Sequence, residues 1–336
     1  MLPLPLWERV GVRGGGPTSK ELFVSFVKFA SFVTQFCYNK SVDLTDKSEL
    51  INFLRSKGLW AQKKLGQNFL VCRDVLDSII AAADISSDDT ILEVGPGLGT
   101  LTRELCKKAG RVIAVEKDSR LISLLKENTK DFNNLEIIEA DILKLKAISY
   151  KLKAFKVVAN IPYYLTSHLI QHFLQSENPP EMMVLMVQKE VAERIVSQPP
   201  KMQFISVLVH FYAEAEIVRQ VPHSCFFPEP EVDSAVVKIE MKTPTQTLPL
   251  SGGGKGGGVR GEGVKEFFRI VKAGFSAKRK TLENALSGGL QKPKAEIQDI
   301  MMKIGIDPQR RAETLSLDEW NRLSASITNN QASSSK

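Results

Sequence analysis

Between residues 90 and 188 short, mostly apolar, β-branched-rich runs alternate with stretches of helical periodicity, and this alternation most limits the folds open to the chain. The runs are Thr90–Val94, Arg111–Glu116, Leu135–Glu139, Lys156–Asn160 and Met182–Gln188. Strands separated by helices in this way predict an open, mainly parallel α/β sheet. Two more runs, Ala213–Val221 and residues 231–241, lie close enough in sequence to pair antiparallel and close the sheet. Helical spacing then returns over 264–274, 277–286, 293–303 and 316–326, so a small helical domain is expected after the sheet.

Two segments do not fit this scheme. Residues 1–42 begin with a Pro/Gly-punctuated stretch and continue with Phe23, Phe26, Phe29, Phe32 and Phe36 at helical spacing. Lys28 and Gln35 interrupt the apolar run and no small-residue cleavage site follows, which argues for a non-core extension over a signal peptide or membrane span. Residues 244–263 contain a Ser-Gly-Gly-Gly-Lys-Gly-Gly-Gly run, which cannot build a core and reads as a linker or insertion. Its Leu-Pro-Leu flavour echoes the N-terminus, as two copies of inserted repeat sequence would. The expected boundaries are therefore 1–42 extension, 43–243 sheet domain, 244–263 linker, 264–327 helical domain and 328–336 flexible tail.

At 336 residues with 43% hydrophobic content, the chain can bury a sizeable core and is not wholly disordered. Four cysteines, Cys37, Cys72, Cys106 and Cys225, are scattered without a C-x-x-C pair. That spacing speaks against a disulfide framework or a zinc site and for a reducing compartment. A formal charge of +7 leans modestly towards a polyanionic partner.

Chemistry concentrates at the ends of the expected strands. Gly95, Gly97 and Gly99 follow the first strand, where backbone can approach a ligand closely and a helix N-terminus offers free N–H groups. Their spacing departs from the dinucleotide fingerprint, and the acidic Glu93 precedes them. Glu116 ends the second strand, where a carboxylate can take both hydroxyls of a ribose. Asp141 follows the third. Any one of these is weak evidence; three at successive strand ends indicate a nucleoside site. Asn160-Ile-Pro-Tyr163 ends the fourth strand. Its amide carbonyl and a nearby backbone carbonyl can accept both hydrogens of a base amine while the ring stacks on the base. Phe227, in Phe227-Pro-Glu-Pro-Glu-Val-Asp-Ser234, adds a second aromatic on a proline-stiffened loop. His168 and His172, four apart, read as a helix face, and no metal is expected.

Together with Lys64-Leu-Gly-Gln-Asn-Phe-Leu70, Phe275-Ser-Ala-Lys-Arg-Lys-Thr-Leu-Glu-Asn-Ala-Leu286 and Gly305-Ile-Asp-Pro-Gln-Arg-Arg-Ala-Glu313, these motifs resemble the bacterial small-subunit (16S) rRNA adenine N6,N6-dimethyltransferases (the KsgA/RsmA family). The resemblance covers residues 43–327 apart from the Gly-rich insertion. It implies a Rossmann-like class I methyltransferase sheet, mainly parallel with the last strand antiparallel, and a small C-terminal helical domain. It also implies S-adenosylmethionine as methyl donor, two adjacent adenines near the 3′ end of small-subunit rRNA as targets, a cytoplasmic monomer, and no membrane partner. Carried over by position, Asn68, Leu70, Gly95, Gly97, Glu116, Asp141 and Asn160 would hold the donor. Asn160, Pro162, Tyr163 and Phe227 would serve catalysis, and Lys278, Arg279 and Lys280 would meet RNA phosphates. The last three belong to a basic stretch, 264–294, in which eight cations face two acids. The plainer alternative has Arg279 pairing with Glu283 at i+4 to support a helix.

Three other readings remain open on the residues. A resistance-type methyltransferase acting on large-subunit rRNA would share the donor and Asn-aromatic motifs. A dinucleotide oxidoreductase is disfavoured by the glycine spacing. A ribosome-assembly factor would bind immature small subunits without needing methyl transfer.

Overall fold

The computed structural model describes residues 42–60, 67–145, 152, 154–243 and 261–334, with no side-chain description beyond 330. The Phe-rich stretch of 1–42, Lys64 and the Gly-rich run of 251–258 lie outside the described residues. All elements below belong to the compact unit Leu44–Lys336.

The strands are β1 (Phe69–Leu70), β2 (Thr90–Val94), β3 (Arg111–Glu116), β4 (Leu135–Glu139), β5 (Lys156–Asn160), β6 (Met182–Gln188), β7 (Ala213–Val221), β8 (Phe226–Phe227) and β9 (Ser234–Met241). Seven of them form one sheet in the order β4-β3-β2-β5-β6-β9-β7. The first five are parallel, and β9 runs antiparallel to both β6 and β7. The expected α/β sheet with its last strand antiparallel is therefore present. The central strands are buried along nearly their whole length, as apolar strands covered by helices on both faces must be. Side chains alternate between the two layers: Leu92, Ile113, Val157 and Leu185 enter one, and Ile91, Val112, Val158 and Val184 the other. Strand β7, at the edge, is buried only at its two ends and alternates half-buried and exposed residues between them.

β9 begins at Ser234 and not at residue 231, because the side chain of Asp233 accepts the backbone N–H of His223 at 3.0 Å and ends the loop there. The C-terminal helices span Glu262–Gly274, Leu282–Leu290, Lys294–Lys303 and Leu317–Ser334. The first packs through rings on the helix Phe204–Tyr212 that leads into β7, Phe267 stacking on Phe211 at 5.0 Å and Phe268 on Tyr212 at 5.7 Å. The helix expected over 277–286 is displaced. Residues 277–280 form a turn in which Lys280 N–H donates to the carbonyl of Ala277, and Thr281 caps the helix that begins at Leu282. Ser316 and Glu319 cap the last helix reciprocally, each side chain accepting the other's backbone N–H. That helix continues past Ile327, where a flexible tail was expected, and Asn330 donates to Glu296 at 2.8 Å.

The cysteine reading also needs correction. Cys72 and Cys225 form a disulfide although 153 residues separate them. The two-residue strands β1 and β8 pair antiparallel, and Val71 N–H donates to the carbonyl of Cys225 at 2.8 Å, which brings the two thiols together. Nothing in local spacing signals that contact. Among the described residues no helix is long and apolar enough to cross a membrane.

Candidate active site

The strand order reverses between β2 and β5, with β3 and β4 to one side and β6 to the other. A crevice opens at such a switch point, beyond the carboxyl ends of the strands. Here it is a cavity of about 630 Å³. Nine residues expected from the sequence line it: Asn68, Leu70, Gly95, Gly97, Glu116, Asp141, Asn160, Pro162 and Tyr163. Phe227 does not. It lies opposite Phe69 in the β1–β8 pair, and Phe69 lines the cavity in its place. Lys278, Arg279 and Lys280 are exposed on the 277–280 turn, away from the cavity lining. Arg279 does not pair with Glu283. That carboxylate is 1% exposed and holds Lys294 at 2.8 Å, while Gln298 and Gln309 donate to it at 2.6 and 3.0 Å.

The turn after β2 is shaped by glycine. Gly97 has φ +61°, and a Cβ there would reach to 3.4 Å from the Phe69 ring, so a side chain would close the space between turn and N-terminal segment. Glu116, 7% exposed, accepts the backbone N–H of Gly97 at 3.1 Å and those of Lys117 and Asp118 at 2.8 Å. Burial raises its pKa against these bonds. Asp141 accepts from Lys117 Nζ at 2.9 Å, and that bond holds its carboxyl below the usual range. Glu93 is the most perturbed group. Fully buried beneath the glycine turn, its Oε2 has no hydrogen-bond partner among the described residues, and burial, with the nearby Glu116 charge, pushes its pKa up to about 8.

Across the crevice, Asn160 Nδ2 donates to the carbonyl of Asn68 at 3.2 Å, and Gln67 Nε2 donates to Asp118 at 2.8 Å. The N-terminal segment is thus tied to both sides of the switch point. Tyr163 sits on a short 3-10 turn after Pro162, its hydroxyl 2.8 Å from Ser234 Oγ. Tyr164, next in the chain, is 61% exposed at the rim. Phe69, Gln67, Lys117 and Ser234 were not singled out in the sequence. Phe69 and Gln67 lie inside one quoted motif and Ser234 closes another, so proximity in sequence was the available signal; Lys117 carried none beyond adjacency to Glu116.

These features fit a nucleoside that carries positive charge. A buried carboxyl group with an unpartnered oxygen lies at the glycine turn, a second ends the neighbouring strand, and a third follows the next. Among the described residues no cluster of three or more His, Cys, Asp or Glu side chains could hold a metal ion.

Residues 58–329 match the family model described as ribosomal RNA adenine dimethylase. A protein from Dehalococcoides mccartyi called ribosomal RNA small subunit methyltransferase A is 47% identical over 269 residues, 79% of this chain and 88% of that one. One of the same name from Clostridium botulinum is 40% identical over 269 residues, 79% of this chain and 93% of that one. Among solved structures, a dimethyladenosine transferase from Plasmodium falciparum aligns with a TM-score of 0.63 at 27% identity, over 78% of this chain and 98% of that one. The 23S rRNA methyltransferase ErmE aligns with a TM-score of 0.60 at 25% identity, over 78% of this chain and 100% of that one.

Proposed function

This chain belongs to the ribosomal RNA adenine dimethylase family, and we propose that it dimethylates the exocyclic amines of two adjacent adenosines near the 3′ end of small-subunit rRNA during ribosome biogenesis. The class I methyltransferase fold implies S-adenosylmethionine as donor. That donor supplies a methyl group already activated by its sulfonium, which leaves the protein the work of positioning and charge stabilisation. In this reading Glu93 and the turn through Gly95 and Gly97 hold the donor's methionine end. Glu116 holds its ribose, Asp141 its adenine, and Asn68 and Leu70 close over it.

The observation that carries the reading is the bond from Asn160 Nδ2 to the carbonyl of Asn68. It orients the amide and leaves Oδ1 without a donor among the described residues, so that oxygen is available to the hydrogens of an incoming adenine amine. Accepting a hydrogen bond there favours a pyramidal, more nucleophilic nitrogen. As positive charge grows on that nitrogen, the amide dipole and the face of Tyr163 stabilise it, with Phe227 backing the wall through Phe69. No side-chain base is required, because a protonated aryl amine is strongly acidic. The exposed cations of the 277–280 turn are assigned to RNA phosphates. The protein is read as a cytoplasmic monomer.

The test is incubation with labelled S-adenosylmethionine and either small or large ribosomal subunits. Label entering small-subunit rRNA supports the reading. Label entering large-subunit rRNA alone would favour a resistance-type enzyme, in keeping with the likeness to ErmE.

A further inference from the structure

We infer that Ser234 is a positioning residue, whose hydroxyl fixes the Tyr163 ring as the wall against which the target base stacks. The inference rests on the proposed reading of Tyr163 as that wall. Ser234 is 0% exposed and opens β9, where its backbone pairs with Gln188 of β6 on one side and Val221 of β7 on the other. A side chain on a residue held between two strands has little freedom, and a buried hydroxyl is costly to leave unbonded. Its Oγ lies 2.8 Å from Tyr163 Oη, across 71 residues of sequence.

The contrast with the neighbouring residue argues that the bond selects a conformation. Tyr163 and Tyr164 are consecutive on the same 3-10 turn and both line the cavity, yet Tyr163 is half-buried and tethered. Tyr164 is 61% exposed, and its hydroxyl makes no hydrogen bond among the described residues. The turn sends consecutive side chains in different directions, and the bond to Ser234 then fixes the side-chain torsions of the inward ring.

Ser234 also stands at the foot of the loop that carries Phe227. Asp233 Oδ1 accepts from the backbone of His223 at 3.0 Å and lies 2.9 Å from its Nδ1, while the carbonyl of Asp233 accepts from Lys189 N–H at 3.0 Å. The loop is closed at its base just before Ser234. One rigid point therefore anchors both aromatic elements, Tyr163 directly and Phe227 through its loop.

The test is a double-mutant cycle on methyl transfer to small subunits at saturating donor, with donor affinity measured separately by calorimetry. Ser234→Ala should lower kcat by about ten- to a hundred-fold, the scale of a misplacement near 1 Å, with the donor Kd unchanged. Tyr163→Phe, which removes the tether from the other side, should cost a similar factor. In the Tyr163→Phe background Ser234→Ala should then cost nothing more. Equal costs in both backgrounds, or an unchanged kcat in Ser234→Ala, would overturn the inference while leaving the proposed function intact. A parent protein that methylates no small-subunit rRNA overturns both. If Ser234→Ala folds poorly, Tyr163→Phe reports alone: full activity in that variant overturns the inference. A readout independent of turnover is fluorine NMR with 3-fluorotyrosine at the five tyrosines. The Tyr163 line, identified by its loss in Tyr163→Phe, should move and narrow in Ser234→Ala, and a line that stays put counts against the tether.

Discussion

The side-chain amide of Asn160 donates to the backbone carbonyl of Asn68 at 3.2 Å, linking residues 92 apart in sequence. One residue ends β5 and the other leads into β1, so these two segments, assigned in the proposed reading to the target base and the donor, are joined at the cavity. With one Nδ2 hydrogen committed to Asn68, the amide plane is set and Oδ1 is oriented before the base arrives. Asn160→Ala should therefore reduce turnover at saturating donor by about 10²-fold or more, the effect of losing one preorganised polar group at a reacting centre. Single-turnover kinetics check this, and a variant with the parent rate would remove Asn160 from amine activation.

Glu93 sets a pH dependence. Its folded pKa is raised from the ordinary value of 4.5 to about 8, so the folded protein holds its proton at neutral pH while the unfolded chain has released it. The resulting stability is full below about pH 4.5 and is lost as pH rises through about 8. The Tm of the parent should fall over that interval relative to Glu93→Gln, which lacks the titration. Binding of a cationic donor beside Glu93 should also release a proton at pH 7. Calorimetry in buffers of differing ionisation enthalpy would detect it, and a proton count of zero would contradict the assignment.

The Cys72–Cys225 bond links the foot of β1 to the start of β8, the pair that holds Phe69 against Phe227. Reduction should lower Tm, since removing a cross-link over a long loop costs about 2–5 kcal/mol. Cys72→Ser should melt at the reduced value with or without reductant. Identical melting of the oxidised and reduced parent, with both thiols open to alkylation before reduction, would argue against the bond.

Much of this site could be read in the sequence because its residues end strands. The runs Thr90–Val94 and Lys156–Asn160 have the bounds their composition predicts, and carboxylates or amides at or just past the ends of such parallel runs emerge on one edge. What could not be read depends on contacts between distant segments. Strands β1 and β8 are two residues long, too short for periodicity, yet they determine where Phe227 lies and which cysteines meet. Leu282, not Ala277, starts the helix after the basic run, because the chain turns at residues 277–280 after Gly274 and Leu282 N–H is taken by the carbonyl of Arg310 at 2.7 Å. The tether from Ser234 to Tyr163 likewise has no local signature.

The displaced helix start alters the expectation for RNA binding. Lys278, Arg279 and Lys280 project from a turn, exposed, and Glu283 is already engaged by Lys294. Replacing all three cations by Ala should leave Tm nearly unchanged and should flatten the slope of log affinity against log salt by roughly 2–3 units. Donor affinity should not move. A lost Tm with an unchanged salt slope would make these residues structural.

The most direct measurement is the location of the product. Small subunits from cells lacking this activity, incubated with the protein and labelled S-adenosylmethionine, should yield N6,N6-dimethyladenosine at two adjacent positions near the 3′ end of the small-subunit rRNA, and none with Asn160→Ala. Dimethyladenosine elsewhere, or the same yield from Asn160→Ala, would contradict the account.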